Sequence, residues 1–358
     1  MRFLIGILKL MKTKALKVDI NLAEKMRRYL IQKNLIRSDL KIQKNEKFIY
    51  FPLKKITKGL DSDQILIKEF KENKKKTKSY KDVISIPDKL KNRLPTSFDI
   101  LGDIILLKLN ENILDYKHEI GDALLKTNKN IKTVCLIQPI SGEFRKRNVE
   151  IISGKNKTET IHTEYGLRFF IDIKKAYFSP RLANERKRIT NFVNKGETIV
   201  DLFAGVAPFS IMIARYSNPK IIYAIDKNKD AIELAKKNIT LNKLIHKIEA
   251  INADAKMIKN IFQKKNIKAD RTIMNLPFSA HLFFKDALKI ASDKCIIHYY
   301  DILKEDRIQE RVNFLKQIAR QCNYSLQKME INKIKTYAPR EFYIGIDITA
   351  RKMDADVA

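Results

Sequence analysis

The sequence predicts an α/β fold. A doubly wound, mostly parallel sheet with an antiparallel C-terminal strand pair occupies 176–358, preceded by a strand-rich α+β region over 95–175 and a small α+β unit over 1–65. Three observations carry this. From about Tyr177 onward, short β-branched runs alternate with segments of helical period. The last two runs have no helix between them, which marks an antiparallel edge on a mixed sheet. Ahead of both regions, Lys68 to Lys81 holds seven lysines against two glutamates with no hydrophobic period, so 66–94 reads as a basic linker.

In the first unit, Leu22, Met26, Tyr29 and Leu30 recur at helical spacing within 22–31. Residues 40–52 read as a hairpin turning at Lys44–Glu46, with Phe48, Tyr50 and Phe51 assigned to core packing rather than base stacking. The apolar start, 1–9, is too short for a signal peptide, lacks a cleavage site and reads as an opening strand. In the second region, 99–109 reads as one buried strand, 113–125 as a helix and 133–137 as a strand. Segments 149–152 and 167–172 continue that sheet after a turn at 153–156. The alternating part then reads as strand 198–202, helix 208–216, strand 221–225, helix 229–238, strand 248–251, helix 256–262, strand 272–274, helix 280–291, strand 295–300 and helix 304–321. Closing strands fall near 325–336 and 341–350.

Composition narrows the function. With 72 Lys+Arg against 41 Asp+Glu, the formal charge of +31 favours a polyanionic partner: RNA, DNA or an acidic membrane. No apolar run approaches the roughly 20 residues that span a bilayer, and Trp anchors are absent, so no membrane partner is expected. Cys135, Cys295 and Cys322 lie far apart without a CxxC. His298 follows Cys295 at a ligand-like spacing with no second pair, so neither zinc nor disulfides are expected, and a cytoplasmic setting fits.

The ends of the predicted strands carry the chemistry. Asp201-Leu-Phe-Ala-Gly205 follows the first strand of the alternating unit, where ligands of open α/β sheets bind. Gly205 permits a tight turn, and the pattern is not GxGxxG, so an ammonium-bearing cofactor near Asp201 fits better than a diphosphate. Asp226 ends the second strand, 25 residues on, and can accept from ribose hydroxyls. Asp254 ends the third and can accept from an exocyclic amine, with the Ala255 N–H meeting a ring nitrogen. Asn275-Leu-Pro277-Phe278 ends the fourth, with an amide to orient a base and a ring to flank one. Each lone aspartate could equally be a helix cap. Three in register along one sheet edge point to an adenosine-bearing ligand.

This combination resembles the Rossmann-like class I S-adenosylmethionine-dependent methyltransferases. More narrowly it resembles the archaeal and eukaryotic tRNA (guanine-N1)-methyltransferases that modify guanosine 37, through 142–147 (GEFRKR), 178–186 (FSPRLANER), 201–209, 274–277 (MNLP) and 97–103 (SFDILGD). The resemblance implies S-adenosyl-L-methionine as cofactor, with Tyr177, Arg186, Phe203, Asp226, Lys227, Asp254 and Ala255 lining its pocket and Asn275 orienting base or cofactor. It also implies a monomer acting on tRNA, with the N-terminal unit touching the outer corner. Ala207 stands where the family more often has glycine, a harmless exchange if its φ is negative.

Guanine N1 carries a proton at neutral pH, and removing it builds charge on O6, so the site needs a base and a cation. Ser179 and Pro180 read as a helix cap and first position, which places Arg181 and Glu185 four apart on one face. Glu185 is the candidate base. Arg145 is the candidate cation for O6, while Arg147, Arg181 and Phe278 are candidate substrate contacts. Three other readings stay open: an aminocarboxypropyl transferase of wyosine-type modification, a methyltransferase of an exocyclic amine, and a catalytically silent RNA-binding protein.

Overall fold

The computed structural model describes residues 10–57, 59–72, 79–138 and 148–354. The chain divides into two units, Met1–Val83 and Ile84–Ala358.

In the first unit, β1 (Leu10–Asp19) leads into α1 (Ala23–Gln32), β2 (Gln43–Lys44), β3 (Phe48–Pro52), β4 (Ile65–Lys71) and the short α2 (Tyr80–Val83). The four strands form an antiparallel sheet in the order β2-β3-β1-β4. Leu16 and Val18 of β1 bury one face with Phe51, Leu53 and Leu30. The β2–β3 turn is held by Asn45, whose Oδ1 accepts from the N–H groups of Lys47 (3.1 Å) and Phe48 (2.7 Å). Phe51 is core as expected. Phe48 and Tyr50 lie on the opposite face under ammonium groups, Lys17 3.9 Å from the Phe48 ring centre and Lys68 4.4 Å from that of Tyr50. The expected linker begins too early at 66, because β4 pairs along β1 as far as Leu10↔Lys71 and shares its hydrogen bonds. The strand expected over 1–9 lies outside the described residues.

The second unit opens with α3 (Asp88–Lys91), β5 (Asp99–Leu101), β6 (Ile104–Leu107), α4 (Lys117–Thr127), β7 (Thr133–Ile137) and β8 (Val149–Gly154). The strands form a sheet in chain order, with β6 and β7 parallel. The single strand expected over 99–109 is instead a hairpin. Gly102 turns it at φ +52°, where a Cβ would lie 2.2 Å from Thr160 Oγ1. Segment 167–172 does not continue that sheet: β9 (Glu159–Glu164) and β10 (Leu167–Asp172) pair only with each other.

The remaining elements are α5 (Ala183–Thr190), β11 (Thr198–Asp201), α6 (Pro208–Tyr216), β12 (Ile221–Asp226), α7 (Lys229–Leu241), β13 (Ile248–Asn252), α8 (Ile258–Lys264), β14 (Ala269–Met274), α9 (Phe284–Ile290), β15 (Ala291–Lys304), α10 (Ile308–Gln321), β16 (Tyr324–Ala338) and β17 (Glu341–Lys352). They build a seven-stranded sheet, β13-β12-β11-β14-β15-β17-β16, in which β11 to β15 are parallel and β17 runs antiparallel between β15 and β16. Strand alternation sends successive residues to opposite layers. Ile199, Ile222 and Ile273 pack with α6 and α7, while Val200, Tyr223 and Met274 pack with α8, α9 and α10. Chain order reverses direction between β11 and β14, which leaves a crevice at their carboxyl ends.

The loop after β11 shows why alanine at 207 is not innocuous. Ala207 sits in the left-handed region at φ +63°, not the negative φ expected of it. That costs about 1–2 kcal/mol, offset in part by its fully buried methyl, worth about 0.8 kcal/mol. Gly205 is also left-handed, at φ +56°, with nothing closer to its missing Cβ than the Tyr177 carbonyl at 3.7 Å. Backbone strain alone therefore penalises a side chain there. We expect Gly205→Ala to destabilise the protein by about 1 kcal/mol in denaturant titrations. Ala207→Gly should change stability by less, because relief of strain opposes lost burial and added chain entropy. A neutral Gly205→Ala would contradict this account of the loop.

Candidate active site

The carboxyl ends of β11 to β14 surround a pocket lined by Tyr177, Arg186, Phe203, Gly205, Asp226, Lys227, Asp254, Asn275 and Pro277, all nine foreseen in the sequence. One carboxylate ties its loops together. Asp226 at the end of β12 accepts from the Gly205 N–H (Oδ2, 2.7 Å) and from the Asn228 N–H (Oδ1, 2.8 Å). Burial pushes its pKa up, and those two N–H groups pull against it. Asn252 braces the third strand by donating from Nδ2 to the carbonyls of Asp226 (2.9 Å) and Lys227 (3.1 Å). Asp254 does serve as a cap: Oδ1 accepts from the Lys256 N–H at 3.0 Å, while Oδ2 lies 3.1 Å from the Lys227 ammonium. The Lys256 N–H foremost, with Lys227, lowers its pKa.

Several foreseen residues stand elsewhere. Asp201 does not reach the pocket. It is 1 % exposed, its Oδ2 takes the Ser210 hydroxyl at 2.9 Å, and its Oδ1 lacks a partner. Burial raises its pKa to about 7. Ala255 follows the lining Asp254 with its methyl packed into the α8 layer, so only its backbone N–H is a candidate contact. Arg186 lines the wall, but its guanidinium is committed to Glu164 (Nε–Oε1 2.7 Å) and the Ser179 carbonyl (3.1 Å). Phe278 is 48 % exposed at φ +72°, its N–H held by Asp301 (3.0 Å) and its ring edge-on to Tyr337 at 5.7 Å.

The Ser179 side chain makes no cap bond, and Pro180–Leu182 is a 3-10 turn rather than the first turn of α5. Arg181 is thereby turned away from Glu185 and pairs with Asp99 of β5 at 2.6 Å, so the expected pair of one helix face is not made. Glu185 lies behind the pocket, one turn beyond Leu182. Its carboxylate accepts from Arg188 (2.8 and 2.7 Å) and from the Tyr300 hydroxyl (2.7 Å). Tyr300 packs on Tyr343, 6.1 Å between ring centres, and the Tyr343 hydroxyl donates to Asn275 Oδ1. Arg145 and Arg147 lie outside the described residues.

The sequence reading missed Tyr343, Phe283 and Leu182 in the lining. Tyr343 comes from the closing strand, assigned only to a sheet edge. Phe283, 5.1 Å from Phe203, comes from a segment read as continuous helix, where a 3-10 turn at Ala280–Phe283 precedes α9.

The doubly wound sheet, its crevice at the β11–β14 ends and its antiparallel closing edge define a Rossmann-like methyltransferase domain. Family models match the TRM5/TYW2 methyltransferase domain over 160–327, the TYW2 N-terminal domain over 80–158 and the tRNA methyltransferase 5 N-terminal domain over 15–61. The chain is 36% identical over 337 residues to the tRNA (guanine(37)-N(1))-methyltransferase Trm5b of Pyrococcus abyssi, covering 94% of this chain and 98% of that protein. The crystal structure of that enzyme superposes with a TM-score of 0.73 at 35% identity, covering 95% of this chain and 99% of its own. A complex of aTrm5 with tRNALeu gives a TM-score of 0.67 at 36% identity, covering 94% and 99%. The chain is also 34% identical over 268 residues to the tRNA(Phe) (4-demethylwyosine(37)-C(7)) aminocarboxypropyltransferase of Pyrococcus horikoshii, covering 75% and 94%. The chain belongs to the TRM5/TYW2 methyltransferase family.

Asp201 gives the site a pH signature. Its folded-state pKa, about 7, is raised, so the folded state holds its proton more tightly than the unfolded chain. Its stabilising contribution is complete below the ordinary carboxylate range and is lost as pH rises toward 7. In ligand-free protein, Asp201→Asn should flatten that decline when melting temperature is followed from pH 4 to 8. Parallel pH profiles for parent and variant would contradict the raised pKa.

Proposed function

We propose that this protein transfers a methyl group from S-adenosyl-L-methionine to N1 of guanosine 37 in tRNA, with Glu185 as general base and Arg145 facing O6. The observation that carries the reading is the pocket at the β11–β14 ends, where Asp226, Asp254 and Asn275 converge with Phe203 and Phe283.

The residues present fit that cofactor. Asp226 keeps acceptor capacity beyond its two N–H bonds for ribose hydroxyls, and Asp254 stands one strand over for an exocyclic amine. When bound, the cofactor supplies an electrophilic methyl group. Asn275, held by the Tyr343 hydroxyl, presents its amide to the target base. Phe278, exposed at a left-handed φ, flanks the turned-out ring, whose unstacking costs a few kcal/mol. Glu185 exchanges its bond with Tyr300 or Arg188 for the N1 proton, and Arg145 stabilises the charge that develops on O6. Arg147 and Arg181 hold RNA phosphate, and the N-terminal unit reads the outer corner of the tRNA. The enzyme works as a cytoplasmic monomer. Among the described residues no helix is long and apolar enough to cross a membrane.

A second reading, aminocarboxypropyl transfer, draws support from the relative at 34% identity and the TYW2-type match over 80–158. The match over 15–61 and the greater coverage of Trm5b favour methyl transfer.

Incubation of unmodified tRNA, and separately of tRNA carrying a wyosine precursor, with labelled cofactor, followed by nucleoside mass analysis, should give 1-methylguanosine at position 37 of the unmodified tRNA. A four-carbon adduct on a wyosine precursor would establish the second reading instead. Glu185→Gln should retain tRNA binding while turnover falls about 10²–10⁴-fold; unimpaired turnover would remove Glu185 as the base. Arg145→Ala should lower turnover more than tRNA affinity, and the reverse ranking would make it a phosphate contact.

A further inference from the structure

Glu185 belongs to a polar chain that crosses from α5 into the sheet. Arg188 grips it with Nε and Nη2, and with Nη1 reaches Asp347 Oδ2 of β17 at 2.6 Å. Asp347 Oδ2 also takes the Asn332 amide of β16 at 3.2 Å, and Oδ1 lies 2.6 Å from His298 Nδ1 of β15. His298 Nε2 lies 2.7 Å from Arg271 Nη1 of β14, and Arg271 Nε donates to Glu197 Oε2 at 2.7 Å. A guanidinium has no acceptor, so His298 Nε2 must be bare and its proton must sit on Nδ1, donated to Asp347. His298 is therefore neutral, and one guanidinium, Arg188, serves two carboxylates. The other groups facing Glu185 are Tyr300 of β15 and, behind it, Tyr343 of β17.

This arrangement bears on a base that must gain and release a proton. Were Arg188 paired with Glu185 alone, protonating Glu185 would leave a largely buried guanidinium without a counter-charge, and that cost would oppose proton uptake. With Asp347 bound along its Nη1–Nη2 edge, Arg188 keeps a full ion pair whichever state Glu185 is in.

We infer that Asp347 is a positioning residue of the reaction: by holding the edge of Arg188 next to the one that grips Glu185, it makes Glu185 able to accept the guanine N1 proton. The inference rests on Glu185 as the base. In the step, the N1 proton passes to a Glu185 oxygen, the electron pair left on N1 forms the bond to the methyl carbon, and the carbon–sulfur bond breaks with its pair to sulfur. The His298 and Arg188 bonds outweigh the burial of Asp347 and bring its pKa down to about 2, so it stays ionised throughout.

The test is the pH profile of single-turnover methylation of a tRNA transcript at saturating S-adenosylmethionine. The parent's rise of rate with pH is the reference. Asp347→Asn gives Arg188 wholly to Glu185, so the rise should move about one unit to lower pH, with a reduced plateau from the weaker base. Arg188→Gln leaves Glu185 beside Asp347 without a cation, so the rise should move to higher pH by a similar amount. Asn332→Asp, a change at a half-buried edge-strand position, should also move it higher by drawing Arg188 away, and it provides the measurement if Asp347→Asn does not fold. No shift, or a shift opposite to that stated, in Asp347→Asn (or in Asn332→Asp where Asp347→Asn does not fold), alongside the expected loss of turnover in Glu185→Gln, would overturn this inference alone. A rise that survives in Glu185→Gln would overturn the base assignment and this inference with it.

Discussion

The site depends on the Asp226 carboxylate. Its two oxygens end the hydrogen bonds of two N–H groups, one from the loop after β11 and one from the start of α7. Burying a carboxylate is unfavourable unless it is bonded, and these donors make it tolerable while fixing both loops relative to the sheet. Asn252 extends the brace to the third strand. The pocket is thus a property of parallel strand ends held together from beneath, and the left-handed turn at Ala207 is the local strain in the braced loop.

Much of this was legible beforehand because the signals were local. Helix 208–216 is found as expected, since Pro208 marks its first turn and the apolar run fixes its extent. The acids at 226 and 254 were readable because strand ends are marked by where β-branched runs stop. What escaped was non-local. Nothing near Tyr343 says that its hydroxyl meets Asn275, 68 residues away. The 99–109 run conceals its turn because both strands of the hairpin are apolar, and what requires glycine at 102, a left-handed φ and the close approach of Thr160 and the Ile161 carbonyl, is set by the fold. Asp201 was placed in the pocket by its position after β11, yet its side chain points into the protein toward Ser210. Arg181 and Glu185 were paired by helical spacing, which fails where the first turn is 3-10.

The two faces of the site divide its labour. The strand-end side presents carboxylates and aromatic rings to the pocket, while the α5 side carries Glu185 in a charged chain that continues to His298 and Arg271. Tyr300 and Tyr343 join the two: one hydroxyl bonds Glu185, the other bonds Asn275, and their rings pack together. Two neighbouring tyrosines of one sheet thereby link Asn275 at the pocket to Glu185 behind it.

The most direct measurement is calorimetric titration of S-adenosylmethionine into the protein and into Asp226→Asn, with melting curves confirming that both are folded. The account predicts one equivalent bound by the parent and binding lost, or weakened at least about tenfold, in the variant, because an amide cannot accept both N–H groups and still meet a ribose. Equal affinity in the two folded proteins would contradict the claim that this carboxylate builds the pocket.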